Sequence, residues 1–191
     1  MKTVLFAAAM AAALPFGATA AENLSYTYAG ADYVKTDANG GGKADGWGLN
    51  GSVAVTSNVH VFADGSHQEV SGSSDEFDRY RAGVGFNYAV ADATDALARV
   101  AYNRLNASNG VAFNGYSIEA GLRTAFGEHV EVMALAGYED YSKRHGLNPQ
   151  GRGYGRLGAQ VKLNQHWGIN GDVKMYRQGA KEWTVGPRFS W

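Results

Sequence analysis

Cysteine is absent from the 191 residues, and only 3 are proline. Without cysteine there is no disulfide scaffold, thiolate zinc site, iron–sulfur cluster, thiol catalyst or lipidated cysteine anchor. Scarce proline, with glycine at no fixed period of three, excludes a collagen-like chain. A formal charge of −1 leaves no electrostatic footprint for nucleic acid. No apolar run reaches the 18 residues that a membrane-crossing helix needs. What is abundant is equally telling. The 26 glycines are about twice the usual share, and aromatics at 12% are too frequent for a disordered chain.

Residues 1–20 read as a secretory leader. Lys2 supplies the positive start, Val4 to Leu14 the short apolar core, and Ala18-Thr19-Ala20 the small-residue cleavage rule. The expected mature chain, 21–191, forms one domain.

From Ser25 onward, apolar residues fall at every second position, the period of a strand. Trp47, Leu49, Val53 and Val55 form one such series. Tyr80, Ala82, Val84, Phe86 and Tyr88 form another, as do Val130, Val132, Ala134, Ala136 and Tyr138. Ten strands are predicted, at about 24–35, 45–56, 59–69, 77–90, 96–105, 113–126, 130–142, 152–163, 167–176 and 183–191. Asp32 and His67 break the pattern in the first and third, so eight strands is the alternative. The connections alternate between short turns and loops of about nine residues rich in Gly, Asn, Asp and Ser. A hairpin recurs about every 35 residues. This predicts an all-β, antiparallel, up-and-down meander closed into a barrel.

Alternation alone does not say which face meets solvent. A soluble sandwich points its apolar face inward; a transmembrane barrel points it at lipid. Three features favour the membrane. The apolar face carries no charge, as expected where a charge costs roughly 2–4 kcal/mol at the bilayer midplane. Tyr26, Tyr28, Trp47, Tyr80, Tyr88, Tyr102, Tyr116, Tyr138, Trp167, Trp183 and Trp191 sit toward the strand ends, at headgroup level. The chain also stops on a strand in which Trp183, Val185, Phe189 and Trp191 alternate, resembling the C-terminal signal read by the barrel assembly machinery. An even strand count puts both termini on the periplasmic side of an outer membrane.

Ala21-Glu22-Asn23-Leu24-Ser25-Tyr26, followed by Asp32-Tyr33-Val34, resembles the opening of a small outer-membrane β-barrel family of xanthomonads and their relatives. Glycine stands at position 30, where that pattern has an acidic residue. The resemblance implies an outer-membrane protein also shed in vesicles, associated with quorum-sensing-regulated traits, biofilm, virulence and host interaction. It carries no catalytic motif over.

The interleaved face predicts a charged lumen. Arg79, Arg81, Arg99, Arg123, Arg152, Arg156, Lys162, Lys174 and Arg188 stand there against Asp64, Glu119, Glu131, Glu139 and Asp172, a balance of +4. Tyr33, Phe62, Met133, Leu135, Tyr141, Tyr154 and Tyr176 add inward bulk. Small barrels are largely filled by side chains, so the expectation is a plug of paired charges. The alternatives are a small porin-like channel with weak anion preference and a lipid A-modifying enzyme. Asp64, Ser66 and His67, with Asp75, Glu76 and His145, are the residues from which a catalytic set would be drawn.

No metal or cofactor site is expected. His60, His67, His129, His145 and His166 lack ligand spacing, and His60, His129 and His166 read as interfacial residues near short turns. Asp37, Asp45, Asp75, Glu76 and Asp78 read as solvated loop charges, the fourth loop as basic through Lys143-Arg144-His145. Expected partners are outer-membrane lipid, lipopolysaccharide, the assembly machinery, and host or cell-surface ligands met through the loops.

Overall fold

The computed structural model describes residues 21, 23–108, 110–143 and 150–191. The predicted leader, Glu22, Arg144 and His145 lie outside the described residues. Ten strands follow one another: β1 (Tyr28–Asp37), β2 (Lys43–Ala54), β3 (Val59–Val70), β4 (Glu76–Ala91), β5 (Thr94–Ala107), β6 (Ala112–Phe126), β7 (Val130–Tyr141), β8 (Arg152–Lys162), β9 (Trp167–Tyr176) and β10 (Lys181–Ser190). Each pairs antiparallel with its sequence neighbours, and β10 pairs with β1 to close the barrel. Tyr28 lies opposite Ser190 and Asp37 opposite Lys181 across that seam. Closure leaves no sheet edge, so every strand finds a ladder partner on both sides.

The barrel is inside out relative to a soluble domain. Val84, Val132 and Val161 point outward, as do Leu122, Ile118 and Leu157. Arg99, Glu119, Arg123, Glu131 and Glu139 are buried within. This is the distribution of a transmembrane barrel, because only a lipid solvent stabilises such an apolar exterior around a charged interior. Two aromatic levels bound the apolar band. Tyr33, Trp47, Tyr80, Tyr102, Tyr116, Tyr138 and Trp183 mark one, and Tyr88, Phe126, Trp167 and Trp191 the other; all are exposed. Beyond the first level the outward positions turn charged or polar, with Lys35 facing Asp45, and His67 facing Asp78.

Two expectations are corrected. The first strand has the opposite register to that expected. Tyr33 is 51% exposed on the outside, not inward, while Tyr26 is 6% exposed inside and the Arg188 guanidinium lies 3.4 Å above the Tyr28 ring. The reason is Asp32, which is held inward by Asn50 (2.6 Å) and Asn170 (3.3 Å). With period two, an inward Asp32 forces Tyr28 inward and Tyr33 outward. The loops are also shorter than nine residues. At their loop ends β1 to β6 and β10 extend further than predicted, leaving 38–42, 71–75, 108–111 and 177–180, and only 142–151 is long. The other end carries the turns 55–58, 92–93, 127–129 and 163–166.

The chain before β1 is not strand. Asn23 adopts the left-handed conformation (φ 67°), and Leu24 N–H donates to the Ala21 carbonyl at 3.1 Å. This turn carries residues 21–27 back into the barrel mouth at the short-turn end. Trp191 N–H donates to the Thr27 carbonyl there, so the segment and the last strand share that end.

Candidate functional site: the charged lumen

All fourteen charged residues singled out from the sequence face the lumen, and the strands bring them together in three levels. Nearest the loops, Glu139 of β7 accepts from Arg152 of β8 at 2.9 Å and Lys174 of β9 at 2.6 Å. Arg79 of β4 reaches across the bore to pair with Glu182 of β10. Aromatic rings support these cations: Lys174 Nζ lies 3.9 Å from the Tyr154 ring centre and Arg152 lies 4.2 Å from that of Tyr176. A cation over a ring face is attracted by its quadrupole.

The middle level centres on Glu119 of β6, whose side chain is 2% exposed. It accepts hydrogen bonds from Arg81 at 3.0 Å and the Tyr154 hydroxyl at 2.9 Å, and forms ion pairs with Arg99 at 3.0 Å and Arg156 at 3.8 Å. Arg81 also holds Asp64 at 2.9 Å, and Arg156 holds Asp172 through two bonds of 2.9 and 2.8 Å. Such parallel bonds exploit the planar guanidinium fork. Gly137 makes the level possible: a Cβ there would lie 2.5 Å from the Tyr154 ring, which fills the vacancy and reaches Glu119.

At the short-turn end, Glu131 of β7 binds Arg123 and, at 2.8 Å, Lys162. Arg123 also donates to the Ser25 carbonyl at 2.9 Å, and its guanidinium lies 4.8 Å above the Tyr26 ring. Leu24 packs with Leu97, Ala125 and Leu135 in a small buried cluster. The segment 21–27 therefore stoppers this mouth with both ionic and apolar contacts. Above it, and below the Arg79–Glu182 pair, lies a cavity of about 180 Å³ lined by Tyr28, Arg81, Arg99 and Arg156 among others.

The structure adds lumen groups that the sequence reading placed elsewhere. Asp32, Asp95 and Glu182 all point inward. Among the described residues nine cations then face eight acids, and the interior balance of +4 becomes +1. The sequence places Asp95 and Glu182 just outside the expected strands 96–105 and 183–191, although each continues the inward alternation of its strand (Asp95, Leu97, Arg99; Glu182, Thr184, Arg188). His60 is a further correction. It is 3% exposed, not interfacial, and stacks on Tyr26 at 4.6 Å in the space left by Gly85, whose Cβ would collide with its ring.

The residues considered for catalysis separate. Asp64 points into the lumen on Arg81, whereas His67 points outward beside Trp47 and donates from Nδ1 to Asp78 at 2.8 Å. Period two drives Asp64 and Ser66 to the face opposite His67, so these three form no triad. Among the described residues no group of His, Asp and Glu has the proximity to hold a metal. Trp183, Val185 and Phe189 lie on the outer face of β10, with Trp191 exposed just beyond its end, and Phe189 packs edge-on against Trp167 at 5.0 Å.

No family model matches the chain, and no curated protein matches it. Solved barrels do. The translocator domain of the autotransporter NalP from Neisseria meningitidis is 15% identical, with 86% of this chain and 88% of that one covered and a TM-score of 0.48. The KdgM porin in complex with oligogalacturonate is 11% identical, covering 86% and 99%, at a TM-score of 0.46. Neisserial surface protein A is 13% identical, covering 86% and 96%, at a TM-score of 0.43.

Proposed function

We propose that this chain is a non-enzymatic barrel of the bacterial outer membrane, exported by the leader 1–20, with a structural or adhesion-related role at the cell surface. The observation that carries this reading is the inverted solvent logic: aliphatic side chains outside, neutralised ions within. Both termini then face the periplasm, because the short turns and both chain ends share one mouth. The opposite rim, with its charged outward positions, meets lipopolysaccharide and presents the loops to other cells or to a host. The resemblance of the mature N-terminus to the xanthomonad barrel family supports a part in biofilm and host contact. The outward alternation of Trp183, Val185, Phe189 and Trp191 supports recognition by the barrel assembly machinery.

The lumen is a plug and not an open pore. Its cations are held by acids or rings at every level, and residues 21–27 occupy the periplasmic mouth. A small channel is the second reading, favoured by the 180 Å³ cavity. Its expected anion preference is slight, since the interior excess is one charge.

Three measurements test this. Folded protein in mild detergent should migrate differently on a gel before and after boiling; identical migration would return the chain to the soluble class. In planar bilayers it should give no steady unitary current, and a stable conductance would establish the channel. Unchanged lipid A masses in cells with and without the protein are expected of a non-enzyme.

A further inference from the structure

Asp95 stands apart from the other buried acids. It is 0% exposed at the foot of β5. Glu119, Glu131, Glu139 and Asp172 each hold an arginine or lysine within 3.0 Å. Asp95 has no such side chain among the described residues. Its oxygens accept from the Tyr26 hydroxyl at 2.8 Å, Asn87 Nδ2 at 3.5 Å and the main-chain nitrogen of Ala21 at 3.3 Å. A carboxylate wholly removed from water is costly unless a cation compensates it.

The Ala21 nitrogen is where that cation would come from. Ala21 is itself 6% exposed, so the contact lies inside the barrel. With the bond to Ala20 intact, this nitrogen is a neutral amide with one hydrogen. Hydrolysis of that bond by a secretory signal peptidase consumes one water, leaves a carboxylate on Ala20 and puts an ammonium on Ala21. Ala18-Thr19-Ala20 is the small-residue pattern such a peptidase cuts after.

We propose that the Asp95 pocket is a binding site for the α-ammonium of this chain's own mature N-terminus, so that leader removal completes the ion pair that stoppers the periplasmic mouth. The inference rests on the reading of residues 1–20 as a cleaved leader. The rest of the segment is built to deliver the ammonium. The left-handed turn at Asn23 reverses the chain, and Lys162 bonds the Asn23 carbonyl. Leu24 anchors in apolar contact, and Tyr26 is clamped between His60 and Arg123 while its hydroxyl bonds Asp95. Both ends of residues 21–26 therefore converge on one carboxylate.

The test uses full-length protein purified from outer membranes. Intact mass first reads the N-terminus; a start other than Ala21 overturns the proposal by removing its premise. For protein that begins at Ala21, the α-amine is acetylated in detergent micelles at neutral pH and followed by mass spectrometry of the N-terminal peptide. The folded wild type should label at least about tenfold more slowly than Asp95→Asn, and than the same wild type unfolded in urea. Lys43, exposed at the opposite rim, serves as the unprotected reference. Equal labelling of folded and unfolded wild type overturns the site while leaving the processing reading intact. The wild-type comparison stands even if Asp95→Asn fails to fold.

Discussion

Substituting Glu119 by glutamine tests the plug at its most connected point. The change is isosteric, so it removes charge with little change in volume. Three guanidiniums and a phenol converge on this carboxylate, yet they are not equally dependent on it. Arg81 keeps Asp64, and Arg156 keeps its two-bond contact with Asp172. Among the described residues Arg99 keeps Met133 Sδ at 3.8 Å and the Phe62 ring at 5.4 Å, and no other acid. The loss is therefore that of one uncompensated buried cation, about 3–5 kcal/mol, and not three times that. Unfolding in urea from lipid or detergent reads it directly through intrinsic fluorescence, since Trp47, Trp167, Trp183 and Trp191 all face outward. The double variant Glu119→Gln, Arg99→Met removes the stranded charge with its partner and should recover most of the stability. A single variant that loses less than about 1 kcal/mol, or a double variant whose loss equals the sum of its parts, would refute the claim that paired charges hold the lumen.

On the outside, Val84→Lys should cost roughly 2–4 kcal/mol by placing a charge in lipid, and heat-modifiability should weaken; full tolerance would show that Val84 meets water. Replacing Gly137 by alanine should displace Tyr154 from Glu119 and cost about 1–3 kcal/mol in the same urea assay; an unchanged midpoint would mean the ring has room to move. Deleting residues 21–27 should raise ion conductance in planar bilayers relative to the intact chain, and unchanged silence would show that the Arg79 level seals the bore by itself. The stopper also carries a pH limit. Burial pushes the Tyr26 phenol above its ordinary value of 10.0, with Asp95 adding to the effect and Arg123 opposing it. A group raised by folding contributes its full stability below its unfolded value and loses it as pH climbs toward the folded one. The Tyr26 contribution to protease protection of the N-terminal segment should hold up to about pH 10 and fall above it, a loss that a Tyr26→Phe variant should lack; the same fall in that variant would contradict this.

Much of the architecture was legible because period two is a local property. Val84 with Phe86, or Val132 with Ala134, declares a two-faced strand whatever its neighbours are, and a face that admits no charge already points to lipid. The fourteen lumen charges followed from the same alternation, as did the outward face of Trp183, Val185, Phe189 and Trp191. Where a strand begins with ambiguous residues, alternation does not settle the register. Tyr26 and Tyr28 look like interfacial aromatics, and only the inward hydrogen bonds of Asp32 reverse that register. Expected loops are too long because polar residues at the rim, such as Asp37, Lys43, Glu76 and Glu182, continue the ladder into the headgroup region while resembling turn residues.

Pairing was not legible at all. Alternation assigns a side chain to a face but not to a height or a partner, and partners here lie up to half a barrel apart. Arg79 meets Glu182 and Ala21 meets Asp95 only because β10 closes on β1 and the register sets which levels coincide. The sequence by itself determined a barrel with a greasy exterior and a charged interior, since side-chain period and lipid solvation act strand by strand. The tertiary structure alone decided that these charges neutralise one another and that the first residues turn inward, because both depend on distances across the bore.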